Sequence, residues 1–205
     1  MTKAEYASVC EERLGKENFQ KLQQARVAVA GLGGLGSHIA IMLARSCVGT
    51  LHIVDFDRVD YSNLNRQAYE LSQVGKLKTQ CMQEKLLAIN PFLTVIPDCV
   101  KVTEENIDTL FKEDTIVCEA FDDAKEKSML INGLLEKFPH TKIISGSGMA
   151  GYGDANEIIT KQVFKNLYVC GDRKAGLEEG LFLLAPRVNI CAGHQANKVI
   201  QSILL

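Results

Sequence analysis

The sequence predicts an α/β fold: a doubly wound, mostly parallel sheet with helices on both faces and some antiparallel strands in the C-terminal part. Two observations support this prediction. Apolar, β-branched runs alternate with helical stretches over residues 26–149, an order typical of βαβ units. A glycine-rich turn, GLGGLG at residues 31–36, joins the first strand of the series directly to its first helix. The 205 residues suffice for one domain, and we expect a single domain over residues 1–205.

Local patterns place the individual elements. Strands are predicted at residues 26–33, 50–57, 93–102, 115–122 and 141–149, with one or two short strands within 156–172. Helices are predicted at 34–47, 75–91, 103–111, 123–138 and 185–205. Thr103 is the expected N-cap of its helix, Pro91 ends the helix before it, and Pro186 lies near the start of the last one.

Composition excludes several classes of protein. Apolar residues make up 46% of the chain and charged residues 23%, the balance of an ordinary globular domain. The net charge of −2 gives no reason to expect a nucleic acid or a membrane as a partner. The first twenty residues are charged and lack the apolar core of a signal peptide. No apolar run approaches the ~20 residues of a membrane span. We therefore expect a cytoplasmic protein.

The cysteines do not follow a metal-binding pattern. There are seven, at positions 10, 47, 81, 99, 118, 170 and 191, and no two are spaced as C-x-x-C. An odd number without a signal peptide fits reduced thiols. Cys47, Cys99, Cys118 and Cys191 lie in apolar stretches, where a free cysteine behaves as a small buried hydrophobe. We expect no zinc.

The glycine turn fits a nucleotide-binding fingerprint. Gly31, Gly33 and Gly36 form G-x-G-x-x-G between a strand and a helix, and Asp55 ends the next strand. The first two glycines permit a tight turn and a close approach to phosphate, and the third lets the helix pack on the strand. An acid at this distance holds ribose hydroxyls. The pattern predicts a Rossmann-like nucleotide site but does not separate NAD, FAD and ATP.

Polar residues beyond the second strand favour ATP. Asn63, Arg66 and Gln67 follow that strand, Lys78 begins the next helix, and Asp122 ends a later strand. Arg and Lys offset phosphate charge and Asp binds Mg²⁺ through oxygen, whereas hydride transfer needs none of these groups. Each residue alone also has a plain explanation, as a surface ion pair, a solvated helix residue or a helix cap. Their order behind the glycine loop favours a triphosphate.

Four segments of the sequence resemble a known family. The segments GLGGLGS, VGTLHIVDFDRVDYSNLNRQ, GKLK and AINP are similar to the ThiF/MoeB family, relatives of the ubiquitin-activating enzymes, and most of all to its short ThiF-like members. The resemblance implies a nucleotidyltransferase that uses Mg·ATP to adenylate the C-terminal glycine of a ubiquitin-like sulfur carrier. The carrier implied is the thiamine-pathway protein ThiS, with a Gly-Gly tail. A homodimer is also implied.

The resemblance assigns roles to residues. It implies Arg66, Lys78 and Asp122 as catalytic residues, with Asp122 binding Mg²⁺. The nucleotide-binding set it implies is Gly31, Gly33, Gly34, Gly36, Asp55, Asp57, Asn63, Arg66, Gln67 and Lys78. The nucleotide-binding part covers about residues 26–125 and the carrier-binding part about 140–205. Within the second part, the glycine-rich segment 145–153 either lines a channel for the carrier tail or forms a flexible turn.

Alternatives remain open on sequence grounds. The substrate that is adenylated is a ThiS-like carrier or another carboxylate, on a molybdopterin-type carrier, a tRNA or a peptide C-terminus. A different class of function, an NAD-dependent oxidoreductase or a non-catalytic nucleotide-binding module, also fits the glycine turn. Cys170 is either a sulfur-handling residue or structural. Arg13 is the candidate for a residue that reaches the ATP site across a dimer interface.

Overall fold

The computed structural model of the protein describes residues 2–174 and 181–205. Its strands are β1 (Arg26–Ala30), β2 (Thr50–Val54), β3 (Thr94–Asp98), β4 (Ile116–Glu119), β5 (Lys142–Gly146), β6 (Ile159–Phe164) and β7 (Leu167–Gly171). Its α-helices are α1 (Lys3–Leu14), α2 (Lys16–Gln24), α3 (Gly34–Arg45), α4 (Lys78–Ile89), α5 (Ile107–Phe111), α6 (Ala124–Lys137) and α7 (Ala185–Leu204). Short 3-10 turns cover Tyr61–Asn63, Leu71–Gln73 and Ala155–Glu157.

The strands form one seven-stranded sheet in the order β3-β2-β1-β4-β5-β7-β6. Every neighbouring pair is parallel except β6 and β7, which are antiparallel. The strand order reverses between β1 and β4, and in such sheets ligands bind outside the carboxyl ends of the strands at this reversal. The predicted fold class, including the antiparallel strands near the C-terminus, is confirmed.

Side chains of β1 alternate between two apolar cores, because successive residues of a strand point to opposite faces. Val27 and Val29 pack in the larger core with α2, α3, α4 and α7. Ala28 and Ala30 pack in the smaller core with α5 and α6. The sheet is therefore covered by apolar cores on both faces.

Several predicted boundaries were wrong. The helix predicted from residue 75 begins at Lys78, because Leu77 instead forms a bridge with Arg58. Thr103 is not an N-cap: α5 begins at Ile107, and the Thr103 N–H donates to the Asn106 side chain in a preceding turn.

The strand predicted over 93–102 stops at Asp98. It contains Pro97 and lies at the edge of the sheet, where proline is tolerated because one side of the strand has no ladder to complete. Cys99 follows the strand and is exposed, so the prediction of a buried Cys99 was also wrong, whereas Cys47, Cys118 and Cys191 are buried as expected.

The two N-terminal helices had no counterpart in the sequence prediction. Helix α1 begins with a capping box between Thr2 and Glu5, and Gly15, with φ 79°, separates it from α2. Helix α2 buries Phe19 and Leu22. None of the twelve residues of α1, all of them described, is buried. A helix with so weak an apolar face leaves little periodic signal in the sequence.

Within residues 2–174 and 181–205 no helix combines the length and the apolarity needed to cross a bilayer.

Replacement of Gly36 by alanine should destabilise the protein. A Cβ at Gly36 would lie 1.8 Å from the Gly31 carbonyl oxygen, so helix and turn would have to separate. We expect Gly36→Ala to lower the free energy of unfolding by about 3 kcal/mol, the upper part of the usual range for overpacking. Urea unfolding followed by circular dichroism measures the change.

Gly193→Ala is the matched control. Nothing lies within 4 Å of a Cβ placed at Gly193 in α7, so alanine there should be neutral or stabilise by about 0.5–1 kcal/mol. Equal stability of the wild-type protein and Gly36→Ala would contradict the close approach of α3 to the turn.

Candidate functional site

A cavity of about 660 Å³ opens at the carboxyl ends of β1, β2, β4 and β5. It is lined by residues from the segments 31–35, 54–57, 100–102, 120–124 and 146–150 and by Arg66, Gln67, Lys78, Glu126, Lys127, Leu183 and Val188. This volume suits a nucleotide-sized ligand. The cavity lies at the reversal of strand order, and it contains most of the residues that the sequence analysis singled out.

The glycine turn forms one wall of the cavity. Gly31 has φ 90°, and a Cβ there would lie 2.9 Å from the Ala120 carbonyl oxygen, so β1 and β4 approach closely at this point. Helix α3 begins at Gly34, and its N-cap Gly33 makes no side-chain capping bond. The N–H groups of the first turn are therefore not capped by a side chain, the arrangement in which helix N-termini bind phosphate. Gly36 lies outside the lining and serves the packing of α3.

Asp55 joins the glycine turn to the segment after β2. Its Oδ2 accepts the Leu32 N–H at 2.7 Å and its Oδ1 accepts the Asp57 N–H at 2.7 Å. Burial raises the pKa of Asp55 above its ordinary value, and the nearby Lys78 ammonium and the two N–H donors partly offset this effect. The carboxylate therefore fixes two cavity segments relative to each other.

Lys78 is buried at the floor of the cavity and is not a solvated helix residue. Its Nζ lies 2.9 Å from Asp57 Oδ2 and 4.0 Å from Asp55 Oδ2. Its backbone N–H donates to the Asp57 carbonyl, so the start of α4 is tied to the segment after β2. The ammonium is therefore held at the cavity by its ion pair with Asp57.

The segment beyond β2 places its three candidates differently. Arg66 lines the cavity beside Gly34 and donates to the Ser62 carbonyl at 2.9 Å. Gln67 also lines the cavity, and its buried Oε1 has no hydrogen-bond partner among the described residues. Asn63 is not part of the described lining: its Oδ1 accepts the Asp60 N–H and closes the turn.

The end of β4 separates two neighbouring acids. Asp123 caps α6 by accepting the Lys125 and Glu126 N–H groups, and these bonds lower its pKa. Asp122 lines the cavity. The alternative explanation of Asp122 as a helix cap is wrong, because Asp123 is the residue that caps α6. The Asp122 carboxylate is exposed, so it is accessible to a bound ligand.

Sequence reasoning missed a buried ion pair beneath the cavity. Glu119 is fully buried at the end of β4, and its Oε2 accepts Lys127 Nζ at 2.5 Å and Ser145 Oγ at 2.6 Å. Lys127 lines the cavity. The available signal was Glu119 itself, an acid that ends the apolar run IVC, because carboxylates are rarely buried without a partner.

A second missed residue fixes the glycine-rich loop. Arg187, near the start of α7, is buried, forms an ion pair with Asp172 and donates to the Asp154 carbonyl at 3.0 Å. Gly148 lies against the same group, since a Cβ there would meet Asp172 Oδ1. Residues 146–150 thus line the cavity as an anchored loop. Part of the predicted carrier-binding region, residues 175–180, lies outside the described residues.

Metal and sulfur chemistry have limited support in the described chain. No group of three His, Cys, Asp or Glu residues in 2–174 and 181–205 is arranged to hold a metal ion. Mg²⁺ at a triphosphate needs only one or two protein carboxylates, the remaining ligands being phosphates and waters, so Asp122 alone fits that role. Cys170 lies within β7, and burial raises the pKa of its thiol. Its environment is that of a structural cysteine.

Fold and site together define an α/β domain whose cavity places cationic side chains and carboxylates around a glycine turn. Comparison with known proteins is more specific: the ThiF family profile matches residues 7–205, and the chain belongs to that family. The resemblance seen in the sequence is therefore confirmed.

Two relatives with different activities are similar to this chain. The chain is 35% identical to a tRNA threonylcarbamoyladenosine dehydratase of Haemophilus influenzae over 153 residues, 74% of this chain and 58% of that protein. It is 30% identical to the molybdopterin-synthase adenylyltransferase of Salmonella typhimurium over 193 residues, 90% of this chain and 75% of that protein. The chain thus spans less than two thirds of the Haemophilus relative.

Solved structures share the fold. The Escherichia coli tRNA N6-threonylcarbamoyladenosine dehydratase TcdA in complex with ATP superposes with a TM-score of 0.88 at 20% identity, covering 98% of this chain and 96% of that one. The E. coli protein MccB with ATP superposes with a TM-score of 0.70 at 25% identity, covering 91% of this chain and 57% of that one.

Removal of the Lys78 charge should move the titration of Asp55. In the folded protein the pKa of Asp55 is raised, so its contribution to stability is full below the unfolded pKa and is lost as pH rises through the folded pKa. Lys78→Met removes a cation that lowers this pKa, and we expect Asp55 to titrate at a still higher pH. Carboxyl ¹³C shifts followed by NMR over a pH series measure it.

Lys85→Met is the matched control, because Lys85 pairs with the exposed Glu70 on the surface. That variant should leave Asp55 unchanged and raise the pKa of Glu70 toward its ordinary value. The assigned electrostatics would be contradicted if Asp55 titrated at the same pH in the wild-type protein and in Lys78→Met.

Proposed function

We propose that the protein is an ATP-dependent adenylyltransferase that activates a substrate carboxylate as its acyl-adenylate. The observation that carries the proposal is the convergence of the glycine turn, Arg66, Lys78 and Asp122 on one cavity. Membership of the ThiF family and the similarity to a named adenylyltransferase support the same class of enzyme. We also propose that the whole described chain serves this one function as a single domain.

Phosphate binding follows from the cations. The uncapped N–H groups of α3 and the Lys78 ammonium, which is paired with Asp57, lie at the cavity. The Arg66 side chain passes beside Gly34, and its guanidinium donates to the Ser62 carbonyl and to Asn65 Oδ1. The orphaned Oε1 of Gln67 can accept from a polar group of the nucleoside, whereas Asp55 and Asp57, whose oxygens already accept from Leu32, Asp57 and Lys78, would do so only through their further lone pairs. A nicotinamide dinucleotide carries only two phosphates, in the middle of the molecule. Additional cations would therefore stabilise it less than they stabilise the terminal triphosphate of ATP. We therefore propose ATP as the nucleotide.

The reaction is a substitution at phosphorus. The substrate carboxylate, ionised near neutral pH, attacks the α-phosphate of ATP. A carboxylate oxygen–phosphorus bond forms, the bond between the α-phosphorus and the bridging oxygen breaks, and pyrophosphate leaves. No general base is needed, and the protein contributes positioning and charge stabilisation. Arg66 and Lys78 are proposed to stabilise the charge that develops on the leaving pyrophosphate.

Mg²⁺ would be held by Asp122 together with the phosphates and would supply further charge neutralisation. The exposed position of Asp122 at the cavity, with the capping role taken by Asp123, leaves its carboxylate available for this. Asn63 was assigned to the phosphates by resemblance. With its Oδ1 engaged by the Asp60 N–H, we propose that Asn63 acts by shaping the turn that carries Arg66.

The acyl substrate enters, we propose, along the anchored loop 146–150, which follows β5 and lines the cavity. Gly146 and Gly148 let this loop pack closely on the rest of the chain, because a Cβ at these positions would meet Leu35 Cδ1 and Asp172 Oδ1. A ubiquitin-like sulfur carrier of the ThiS type is the first candidate. A tRNA-attached carboxylate is the second, and it is favoured by the 35% identity to a tRNA threonylcarbamoyladenosine dehydratase.

Pyrophosphate exchange distinguishes these candidates. The wild-type protein is incubated with ATP, Mg²⁺ and labelled pyrophosphate, together with a carrier ending in Gly-Gly, with tRNA bearing N6-threonylcarbamoyladenosine, or with no acceptor. Label entering ATP only with the carrier supports the first candidate, and label entering only with the tRNA supports the second. Absence of exchange with both would contradict adenylation of either substrate.

Variants of Arg66 and Asp122 should fail in different ways. Arg66→Ala removes a contact that strengthens as charge moves onto pyrophosphate, and loss of one such donor costs about 3–4 kcal/mol, or roughly a hundredfold to a thousandfold in rate. Asp122→Ala removes a Mg²⁺ ligand, so higher Mg²⁺ should restore part of its exchange. Arg66→Ala should show no such recovery. Acceptor-dependent exchange over a Mg²⁺ series measures both.

The chain offers matched controls for this experiment. Arg58 donates to the Gly75 carbonyl at 2.8 Å and Asp108 lies near Lys137, both away from the cavity lining. Arg58→Ala and Asp108→Ala should retain wild-type exchange, since surface substitutions usually change stability by less than about 0.5 kcal/mol. Near wild-type exchange in Arg66→Ala and Asp122→Ala, with unaltered folding, would contradict the proposed roles.

We also propose a homodimer, as the family resemblance implies. Arg13 lies exposed near the end of α1, so it is available to reach a second chain. Light scattering at micromolar concentration should give twice the chain mass. A monomer throughout a concentration series would argue against the dimer and against any role of Arg13 across an interface.

A further inference from the structure

Two cysteines far apart in the sequence meet where α1 lies against the rest of the chain. The Sγ atoms of Cys10 and Cys47 are 3.4 Å apart, and the Tyr6 hydroxyl lies 3.4 Å from the same Cys47 sulfur. Tyr6 and Cys10 are four residues apart on α1, so they share one face of the helix. The Tyr6 ring also contacts the Phe92 ring, with centroids 5.3 Å apart. This face of α1 therefore presents Cys10 to Cys47.

The two sulfurs differ in what holds them. Cys47 lies just beyond α3 in a left-handed conformation, φ 63°, and its carbonyl accepts Gln23 Nε2 at 2.8 Å. Cys10 lies on a helix with no buried residue among its twelve described positions. A disulfide needs a sulfur separation of about 2.05 Å, so α1 would move by about 1.4 Å to form one. Cys47 is held in place, and Cys10 lies on a helix without buried residues, so Cys10 can move toward Cys47.

We propose that Cys10 and Cys47 form an oxidation site, at which a hydroperoxide converts the two thiols into an intramolecular disulfide. Cys10 is the sulfur that reacts first, because it is partly exposed while Cys47 is buried. Burial also raises the pKa of the Cys47 thiol, which keeps that sulfur protonated and slow toward the oxidant.

The chemistry balances with hydrogen peroxide as the oxidant. The Cys10 thiol gives up its proton, the thiolate attacks one peroxide oxygen and the O–O bond breaks, so that Cys10 sulfenic acid forms and the departing hydroxide takes up that proton as one water. The Cys47 sulfur then attacks the sulfenic sulfur, the S–S bond forms, and the departing hydroxide takes the Cys47 proton as a second water. Two thiols are oxidised by two electrons, and one peroxide is reduced to two waters.

The disulfide would tie α1 to the sheet domain. It would close a loop from residue 10 to residue 47 and restrict the unfolded chain, so the oxidised protein should unfold at a higher urea concentration than the reduced protein. The proposal concerns thiol chemistry at α1 and does not depend on the proposed adenylation, because its measurements are of mass, thiols and stability.

Peptide mapping tests the site directly. The reduced full-length protein is treated with hydrogen peroxide, free thiols are blocked, and tryptic peptides are analysed by mass spectrometry. We expect peptides 4–13 and 46–58 to be linked through Cys10 and Cys47, and the free thiols to fall from seven to five. Dithiothreitol should release both peptides. The urea midpoint should rise on oxidation and return on reduction.

Two variants make the result decisive. Cys10→Ser should abolish the linked peptide and the shift in the urea midpoint. Cys99→Ser removes the exposed cysteine after β3 and should retain both. Three results would each overturn the proposal: seven free thiols after treatment, Cys10 oxidised to sulfinic acid with Cys47 still free, or disulfides between chains through Cys99 without a 10–47 link.

Discussion

The Asp55 carboxylate is the contact on which the rest of the site depends. With one oxygen it accepts the Leu32 N–H of the glycine turn, and with the other it accepts the Asp57 N–H of the segment after β2. Asp57 in turn holds the Lys78 ammonium at 2.9 Å. One buried acid therefore sets the positions of the glycine turn, a second acid and a cation. Its raised pKa reflects the cost of burying it.

Much of the fold was predictable because strands alternate regularly with helices along the sequence. Apolar runs such as that of β1 and the glycines behind it predicted the parallel core and the position of the cavity. The errors lie where local pattern is weak. The strand β3 ends at Asp98, the bridge between Arg58 and Leu77 lies where α4 was predicted to begin, and α1 has no buried residue to give it a period.

The site was predictable in part, for a related reason. Asp55 and Asp122 follow strand ends in the sequence, and parallel strands bring their carboxyl ends to one edge. Asn63 and Arg66 belong to a turn whose side chains point in different directions, which only the closing bond from the Asp60 N–H reveals. Arg187 was missed because its partner Asp172 lies 15 residues away in the sequence. Glu119 was missed because its partner Lys127 lies on another element, α6.

The central claim is that the cavity binds a triphosphate nucleotide. Isothermal titration of the wild-type protein with ATP in the presence of Mg²⁺, and in a parallel experiment with NAD, tests it most directly. The account predicts one ATP bound per chain and no heat of binding from NAD, since the cavity offers cations for a terminal triphosphate. Binding of NAD without binding of ATP would contradict it.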